Sequence, residues 1–180
     1  MNETQADIAT WNAFKQGDIQ AFDGLFRRYY PLLVQYGSKL GIEKSRLEDI
    51  IQELFIEMWQ SRSSTPVASV KAYLLKSLKF KLFRHIKGDR NTHYSGDEDP
   101  GVFELSYDHF VIAREEEAAL SNRIIGAVNK LPSRQREIIY LKIFQGLSYE
   151  EVSEVMSINY QVARNLFYQS IKTLREVLKS

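Results

Sequence analysis

The chain has 180 residues, 44% of them hydrophobic, which is enough to bury one good core or two small ones. Its 24 Lys and Arg residues nearly balance 23 Asp and Glu residues, so the formal net charge of +1 excludes a polycation that holds nucleic acid by bulk charge. The absence of cysteine excludes disulfides, thiolate zinc sites and cysteine nucleophiles, and favours a cytoplasmic location. No apolar run approaches the roughly 18 residues of a membrane span, and we expect neither a span nor a signal peptide.

Helical periodicity extends from about residue 4 to residue 39 in two pieces. The break is predicted at Gly17 and Asp18, with the Asp18 side chain capping the second piece. Pro31 lies inside this second piece and is expected to bend it.

A third helix is predicted to begin near Ser45, which has capping-box spacing with Glu48. Its apolar stripe must face a core and consists of Leu47, Ile51, Leu54, Phe55 and Met58. Its other face is polar and carries Asp49, Gln52, Glu53 and Gln60. Residues 61–69 then have the Ser, Thr and Pro content of a loop.

The next predicted helix, from Val70 to about Lys87, is strongly basic. Between residues 71 and 90 there are seven cations and the single acid Asp89; the cations are Lys71, Lys76, Lys79, Lys81, Arg84, Lys87 and Arg90. Aromatic and apolar residues are interleaved with them, a mixture typical of a surface that neutralises phosphates and stacks bases. The alternative is a core helix with lysines that extend along its edges. One helix can also bury one face and bind nucleic acid with the other.

Residues 88 to about 113 show no sustained period and are acidic, which predicts a solvated interdomain linker. A helix is predicted from about Arg114 to Lys130. Ser133 is then expected to cap a helix from Arg134 to Phe144, and Gly146 to turn the chain.

Residues 131–178 read as a helix-turn-helix. Ser148 and Glu151 have capping-box spacing before a helix that starts near Tyr149. A turn of Ser157, Ile158 and Asn159 follows, in which Asn159 is a good N-cap for a second helix.

The second helix of this motif has two different faces. Its apolar residues recur at helical steps and are expected to pack on the first helix: Ala163, Leu166, Phe167, Ser170, Ile171, Leu174 and Leu178. Its other face carries groups able to reach base edges and phosphates in a major groove: Gln161, Arg164, Asn165, Tyr168, Gln169, Lys172 and Arg175. Any surface helix of a bundle is amphipathic, so the short capped turn carries more weight here than the two faces.

The sequence offers no pattern for catalysis or cofactor binding. The three histidines, His85, His93 and His109, are scattered and have no metal-ligand spacing. Walker, Gly-x-Gly-x-x-Gly and Gly-x-Ser-x-Gly motifs are absent. We therefore expect a protein that is not an enzyme and needs no metal or other cofactor.

In this order, the basic helix, acidic linker and helix-turn-helix resemble a bacterial RNA polymerase sigma factor of the sigma-70 family, extracytoplasmic-function (ECF) type. The resemblance covers almost the whole chain and rests on residues 17–33, 47–59, 70–87 and 131–176. Its most specific part is the pattern Asp49, Gln52, Glu53, Phe55 and Trp59 at fixed distance from Tyr73-Leu74. It implies an all-α fold of two small helical domains joined by a flexible acidic linker.

The resemblance also implies roles for the segments. Residues 1–88 would form region 2, 89–113 the linker and 114–180 region 4. The clamp helices of the largest polymerase subunit would be bound by Asp49, Gln52, Glu53 and Gln60. The −10 element would be bound by Lys71, Tyr73, Lys76, Lys79, Arg84 and Lys87, and the 61–69 loop would receive a flipped base. The −35 element would be read by Gln161, Arg164, Asn165, Tyr168, Gln169 and Lys172.

The chain departs from the family pattern at identifiable positions. Phe80 stands where many members have Asn, and Arg84 where they have Asp. Leu166, Gln169 and Ile171 occupy positions of the recognition helix usually filled by Arg or Lys, which predicts a shallower salt dependence.

The expected partners are therefore core RNA polymerase, promoter DNA and an anti-sigma factor, often membrane-anchored for members of this type, with no small-molecule substrate. Two alternatives stay open from the residues alone. One is a self-sufficient helix-turn-helix regulator similar to the LuxR type. The other is a protein-only sigma mimic or adaptor whose basic faces are merely solvated.

Overall fold

The computed structural model describes residues 3–61, 66–87, 102–106 and 115–179, and all regular structure in these ranges is helical. The described helices fall into two compact units, with α1 to α4 in the first and the later helices in the second. The predicted all-α class with two helical domains is confirmed. None of the helices in this part of the chain combines the length and the apolar run that a bilayer crossing requires.

The first two helices are separated where the sequence predicts. Helix α1 spans Glu3–Lys15 and α2 spans Ile19–Ser38. Gly17 has a φ of 91°, and the Asp18 carboxylate accepts from the backbone N–H of Gln20 at 2.8 Å. The predicted cap is confirmed, and α2 continues as one helix through the exposed Pro31.

Helix α3 spans Lys44–Ser61 and begins with a different cap from the one expected. The predicted pairing of Ser45 with Glu48 is wrong. The Glu43 carboxylate instead accepts from the backbone N–H groups of Ser45 and Arg46, at 3.0 and 3.2 Å, and from the Ser45 hydroxyl. These hydrogen bonds, that of the Ser45 side chain first, lower the pKa of Glu43. A carboxylate beside the free N–H groups of the first turn is also favoured by the helix dipole.

Helix α4 spans Val70–Lys87 and completes the core of the first unit. Within this unit α1 packs on α2 and α4, α2 on α3 and α4, and α3 on α4. The core contains Trp11, Phe14, Leu25, Leu33, Tyr36, Leu47, Ile51, Phe55, Leu74, Leu78 and Leu82. Each large apolar side chain buried in this way contributes about 1.5 to 3 kcal/mol relative to its exposure.

Helices α2 and α3 approach closely at Gly37. A Cβ atom at this position would clash with Cδ1 of Leu47 and lie 3.0 Å from its Cδ2, and Leu47 is itself fully buried. We expect Gly37→Ala to lower the free energy of unfolding by about 1 to 3 kcal/mol, because overpacking outweighs the better helix propensity of alanine. Urea denaturation measures this change.

Gly24 in the same helix is the matched control. A Cβ atom there would have nothing within 4 Å, so Gly24→Ala should raise the free energy of unfolding by about 0.5 to 1 kcal/mol. Equal effects of the two substitutions would contradict close packing at Gly37.

The second unit includes Lys39–Gly41 and, after α4, the described segment 102–106, which the sequence assigns to a solvated linker. Phe103 and Leu105 are instead buried. The Asn129 side chain holds the backbone of Leu105, accepting from its N–H at 3.0 Å and donating to its carbonyl at 2.8 Å. This part of the predicted linker therefore belongs to the packed unit, and the remaining linker residues lie outside the described residues.

Helix α5 spans Glu115–Asn129 and α6 spans Ser133–Ile139. The predicted cap at Ser133 is wrong: the N-cap is Pro132, and Ser133 is the first helical residue, with its hydroxyl buried and without a hydrogen-bond partner. A π-helical turn then spans Tyr140–Phe144, where the sequence predicts continuous α-helix. Its register is shown by Gln145, whose N–H donates to the Tyr140 carbonyl at 3.0 Å.

Candidate nucleic-acid and protein interfaces

The predicted helix-turn-helix is present with its predicted caps. Helix α7 spans Tyr149–Met156 and α8 spans Tyr160–Lys179. The Ser148 hydroxyl accepts from the Glu151 N–H at 3.1 Å, and the Glu151 carboxylate accepts from the Ser148 N–H at 2.7 Å. Asn159 caps α8 by accepting from the Val162 N–H at 2.8 Å.

The turn between these helices contains one residue whose conformation the sequence did not predict. Ser157 adopts the left-handed conformation, with φ 52° and ψ 43°, and its N–H donates to the Glu154 carbonyl at 3.2 Å. Non-glycine residues adopt this conformation at a cost of about 1 to 2 kcal/mol. Glycine is the usual residue in this conformation, so the serine gave no sign of it, although the turn itself was predicted.

The capping box should contribute measurably to stability. We expect Ser148→Ala to lower the free energy of unfolding by about 1 kcal/mol, since the N–H of Glu151 loses its acceptor. Ser157→Gly is the companion variant and should raise the same quantity, because glycine adopts the left-handed conformation without strain. Thermal denaturation followed by circular dichroism checks both; a stabilised Ser148→Ala would contradict the capping role.

Helix α8 separates a packed face from an exposed one. It packs on α5, α6 and α7, and Ala163 and Ser170 are fully buried. The predicted base-reading residues are all exposed: Gln161, Arg164, Asn165, Tyr168, Gln169 and Lys172. Among the large hydrophobic side chains of the described residues, Tyr168 is the most exposed, with 72% of its surface accessible. The expected two-faced arrangement is confirmed, and the DNA contacts themselves stay a prediction.

The exposed face of α8 combines hydrogen-bonding groups with cations and aromatic rings. Gln161 donates to the Asn165 side chain at 3.1 Å, and the Arg164 guanidinium lies 5.9 Å from the centre of the Tyr160 ring. A cavity of about 470 Å³ follows the helix onward. Its lining includes Arg164, Tyr168, Lys172, Arg175 and Lys179. The cationic stripe thus extends to the end of α8, beyond the predicted reading residues.

Helix α4 presents only part of the predicted basic surface. Lys76 and Arg84 are exposed, and Lys71 and Tyr73 are half-buried. Lys87 ends the helix, and its side chain lies outside the described residues. Residues 62–65, most of the loop predicted to receive a flipped base, lie outside them as well.

The predicted phosphate contact by Lys79 is wrong in this arrangement. Its side chain is only 2% exposed, because helical spacing places it with Leu75, Leu78 and Leu82 on the buried face of α4. Lys81 also turns inward: its amine lies 2.7 Å from a Glu57 carboxylate oxygen and 3.8 Å from one of Glu53. Lys79 therefore lies in the core of the unit, whereas Lys81 is partly buried and pairs with exposed acids of α3.

Tyr73 is held by an aromatic cluster that reaches into α1. Its ring meets the edge of Trp11 at a centroid distance of 5.1 Å, and Trp11 is 2% exposed. Phe14 lies 5.2 Å from Trp11 and 6.3 Å from Trp59. Tilted and edge contacts of this kind are favourable for aromatic pairs, so they hold the half-buried Tyr73 against the core of the unit.

The polar face of α3 is exposed as predicted, at Asp49, Gln52, Glu53 and Gln60. Sequence reasoning missed Ile56 in the middle of this face, which is 55% exposed. A single exposed apolar side chain is common on protein surfaces, so Ile56 by itself does not identify an interface. Residues 49, 53, 56 and 60 recur at helical steps, and this regularity could have identified it.

The described residues contain no group of three or more His, Cys, Asp or Glu side chains that could hold a metal ion. Of the histidines, His85 is described and accepts a hydrogen bond at Nε2 from Nε of Arg46. His93 and His109 lie outside the described residues.

Comparison with known proteins agrees with this arrangement. The family model for Sigma-70 region 2 matches residues 25–92, and that for Sigma-70, region 4 matches residues 121–174. The chain belongs to the sigma-70 family. As a sigma factor of the ECF type, it recognises promoters and directs transcription initiation.

Two curated sigma factors illustrate the likeness along the chain. The RNA polymerase sigma factor NccH of Alcaligenes xylosoxydans xylosoxydans is 26% identical, over 100% of this chain and 98% of NccH. The ECF RNA polymerase sigma factor SigW of Bacillus subtilis is 25% identical, over 92% of each chain.

A solved structure shows the same fold. The sigma factor RpoE of Bartonella quintana, crystallised in complex with the anti-sigma factor NepR, superposes with a TM-score of 0.58. It is 19% identical to this sigma factor, and the match covers 89% of this chain and 98% of RpoE.

Proposed function

We propose that the two units divide promoter binding between them. Region 2, residues 1–88, binds core RNA polymerase and the −10 element, residues 89–113 connect the units, and region 4, residues 114–180, reads the −35 element. The observation that carries this proposal is the exposed polar face of α8, opposite the buried Ala163 and Ser170. Helix α8 is the second helix of a helix-turn-helix in which both helices have a side-chain N-cap.

We assign −35 recognition to the six exposed residues of α8 named above. Glutamine and asparagine side chains pair bidentately with adenine, and arginine pairs with guanine. Lys172 lies two turns beyond Arg164 and contacts phosphate in this proposal. Tethering to a second DNA-binding unit raises the effective concentration of this helix at its site, so few cations suffice.

The −10 surface consists of Tyr73, Lys71, Lys76, Arg84 and Lys87, without the buried Lys79. Unstacking a base costs a few kcal/mol. Stacking on an aromatic side chain returns about 1 to 3 kcal/mol per base, and phosphate neutralisation adds to this. Tyr73 suits this role because its contact with Trp11 fixes the ring before DNA arrives.

The docking surface for the polymerase clamp helices comprises Asp49, Gln52, Glu53 and Gln60, with Ile56 as an apolar centre. Acidic and amide groups around an apolar residue provide both specificity and a desolvated contact. The protein has no catalytic role of its own in this proposal, because polymerase supplies the chemistry, and it acts in the cytoplasm. An anti-sigma factor is the expected inhibitor, supported by the RpoE–NepR complex.

Run-off transcription tests the proposed function. Purified core polymerase is incubated with the chain and with its own upstream DNA, and a discrete transcript is expected only when both proteins are present. Failure of the chain to bind core enzyme in a pull-down would refute the proposal. Tight sequence-specific binding to duplex DNA without polymerase would indicate a self-sufficient regulator, and partner binding without any DNA dependence a protein-only adaptor.

A further inference from the structure

A groove of about 460 Å³ separates α3 from α4 within the first unit. Its lining comprises Arg46, Ile50, Glu53 and Glu57 of α3 with Lys81, Arg84 and His85 of α4. The start of α3 faces the end of α4, since Arg46 contacts His85 while Glu57 contacts Lys81. The two ends of the groove therefore carry different charges.

The acidic end of the groove is neutralised internally. The Lys81 amine lies between Glu57, at 2.7 Å, and Glu53, at 3.8 Å, and its side chain is 17% exposed. A partly buried amine held by two carboxylates has little to offer a further anion. We therefore assign no ligand to this end of the groove.

The other end of the groove is different, because its lining residues Arg46, Arg84 and His85 include no acid. His85 accepts a hydrogen bond at Nε2 from Nε of Arg46, which links α4 to the start of α3. The nearby Glu43 carboxylate is directed at the backbone N–H groups of Ser45 and Arg46. Arg46 and Arg84 thus bring two guanidinium groups to one groove, in which the two lining carboxylates, those of Glu53 and Glu57, contact Lys81.

An exposed aromatic ring adjoins this end. Phe80 is 40% exposed, and the Arg84 guanidinium lies 5.9 Å from the centre of its ring. Lys76, Phe80 and Arg84 follow one another at four-residue steps and are all exposed, so they form a single stripe along α4. Cations alternating with an aromatic face are typical of single-stranded nucleic-acid binding.

We propose that Arg46 and Arg84, with His85 orienting Arg46, bind a backbone phosphate of the promoter strand, and that Phe80 stacks on a neighbouring base. This inference rests on the proposed function and adds Arg46, His85 and Phe80 to its −10 surface. Guanidinium groups suit this task because they bind phosphate oxygens bidentately. An acidic protein partner could bind the two arginines, but its binding would not require the exposed Phe80 ring.

Arg46→Gln in the complete chain, assembled with core polymerase, tests the assignment. Binding to a fork DNA from the chain's own upstream region, single-stranded at the −10 element, is measured between 50 and 200 mM salt. Loss of one phosphate contact should reduce the slope of log K against log salt by about 0.7 to 0.9. The ratio of the wild-type affinity to the Arg46→Gln affinity should then be about threefold smaller at 200 mM salt than at 50 mM.

Two variants control this experiment. Arg46→Lys keeps the charge and should keep the salt slope. Arg27→Gln removes an arginine that is 78% exposed on α2 and paired with Asp23 at 2.9 Å, and should also leave the slope unchanged. Phe80→Ala should weaken binding several-fold at every salt concentration without altering the slope, because stacking releases no counterions.

The outcomes separate this inference from the proposed function. If the wild type initiates transcription and Arg46→Gln has the slope of Arg27→Gln, the phosphate site is refuted while the sigma-factor role stands. Weakened binding of Arg46→Gln to core enzyme alone, with an unchanged slope, would assign the cluster to a protein partner and likewise refute it. Failure of the wild type itself in transcription would instead refute the proposed function.

Discussion

Replacement of both Asp49 and Glu53 by lysine is expected to abolish binding to core RNA polymerase. Both side chains are exposed on the face of α3 assigned to the clamp helices. Like charges opposed across an interface cost several kcal/mol. A loss of about 3 kcal/mol already raises Kd by more than a hundredfold. Titration of labelled protein with core enzyme measures the change.

The double variant needs a control for the fold, because Glu53 also pairs with Lys81. Asp49→Lys alone avoids that pair and should still weaken binding at least tenfold. Asp23→Lys reverses an exposed acid on α2, outside the proposed surface, and should leave core binding unchanged. If Asp49→Lys binds as well as Asp23→Lys while both retain wild-type helicity, the clamp surface is elsewhere.

The second large effect is expected at Arg164. If its guanidinium reads a guanine, Arg164→Ala should cost about 1 to 3 kcal/mol of binding free energy at one −35 position and little at promoters altered there. Competition binding of the assembled holoenzyme to a panel of single-base variants measures this. Lys172→Ala, exposed on the same helix, should instead weaken all sequences alike and lower the salt slope.

A uniform loss for Arg164→Ala would contradict base reading and assign Arg164 to phosphate. Arg27→Ala serves as the control for a general loss of positive charge. Circular dichroism excludes a folding defect, since Arg164 is exposed and contributes only a contact with the Tyr160 ring.

The features that the sequence predicted correctly depend on short-range chemistry. Asp18, Ser148 and Asn159 cap helices through atoms two or three residues away. The exposed faces of α3 and α8 follow from helical periodicity. In each helix, polar and apolar residues recur at helical steps on different faces. Local sequence therefore located both candidate interfaces.

The features that it missed depend on residues distant in the chain. Lys79 was assigned to the surface because cations lie on several faces of α4, and only the packing of the whole unit shows which face is buried. Arg46 and His85 are 39 residues apart, and no periodicity connects them. Leu105 is fixed by the side chain of Asn129, so composition alone made a packed segment look like a solvated linker.

The π-helical turn at Tyr140–Phe144 has a geometric consequence for DNA reading. Such a turn holds one residue more than an α-helical turn, which rotates everything that follows by about 100° around the helix axis. Residues 145–148 and helix α7 come directly after it, and α7 contacts the turn. The direction in which α7 leaves α6 thus depends on a single inserted position, and deletion of one residue there should displace α7, on which the proposed reading helix α8 packs.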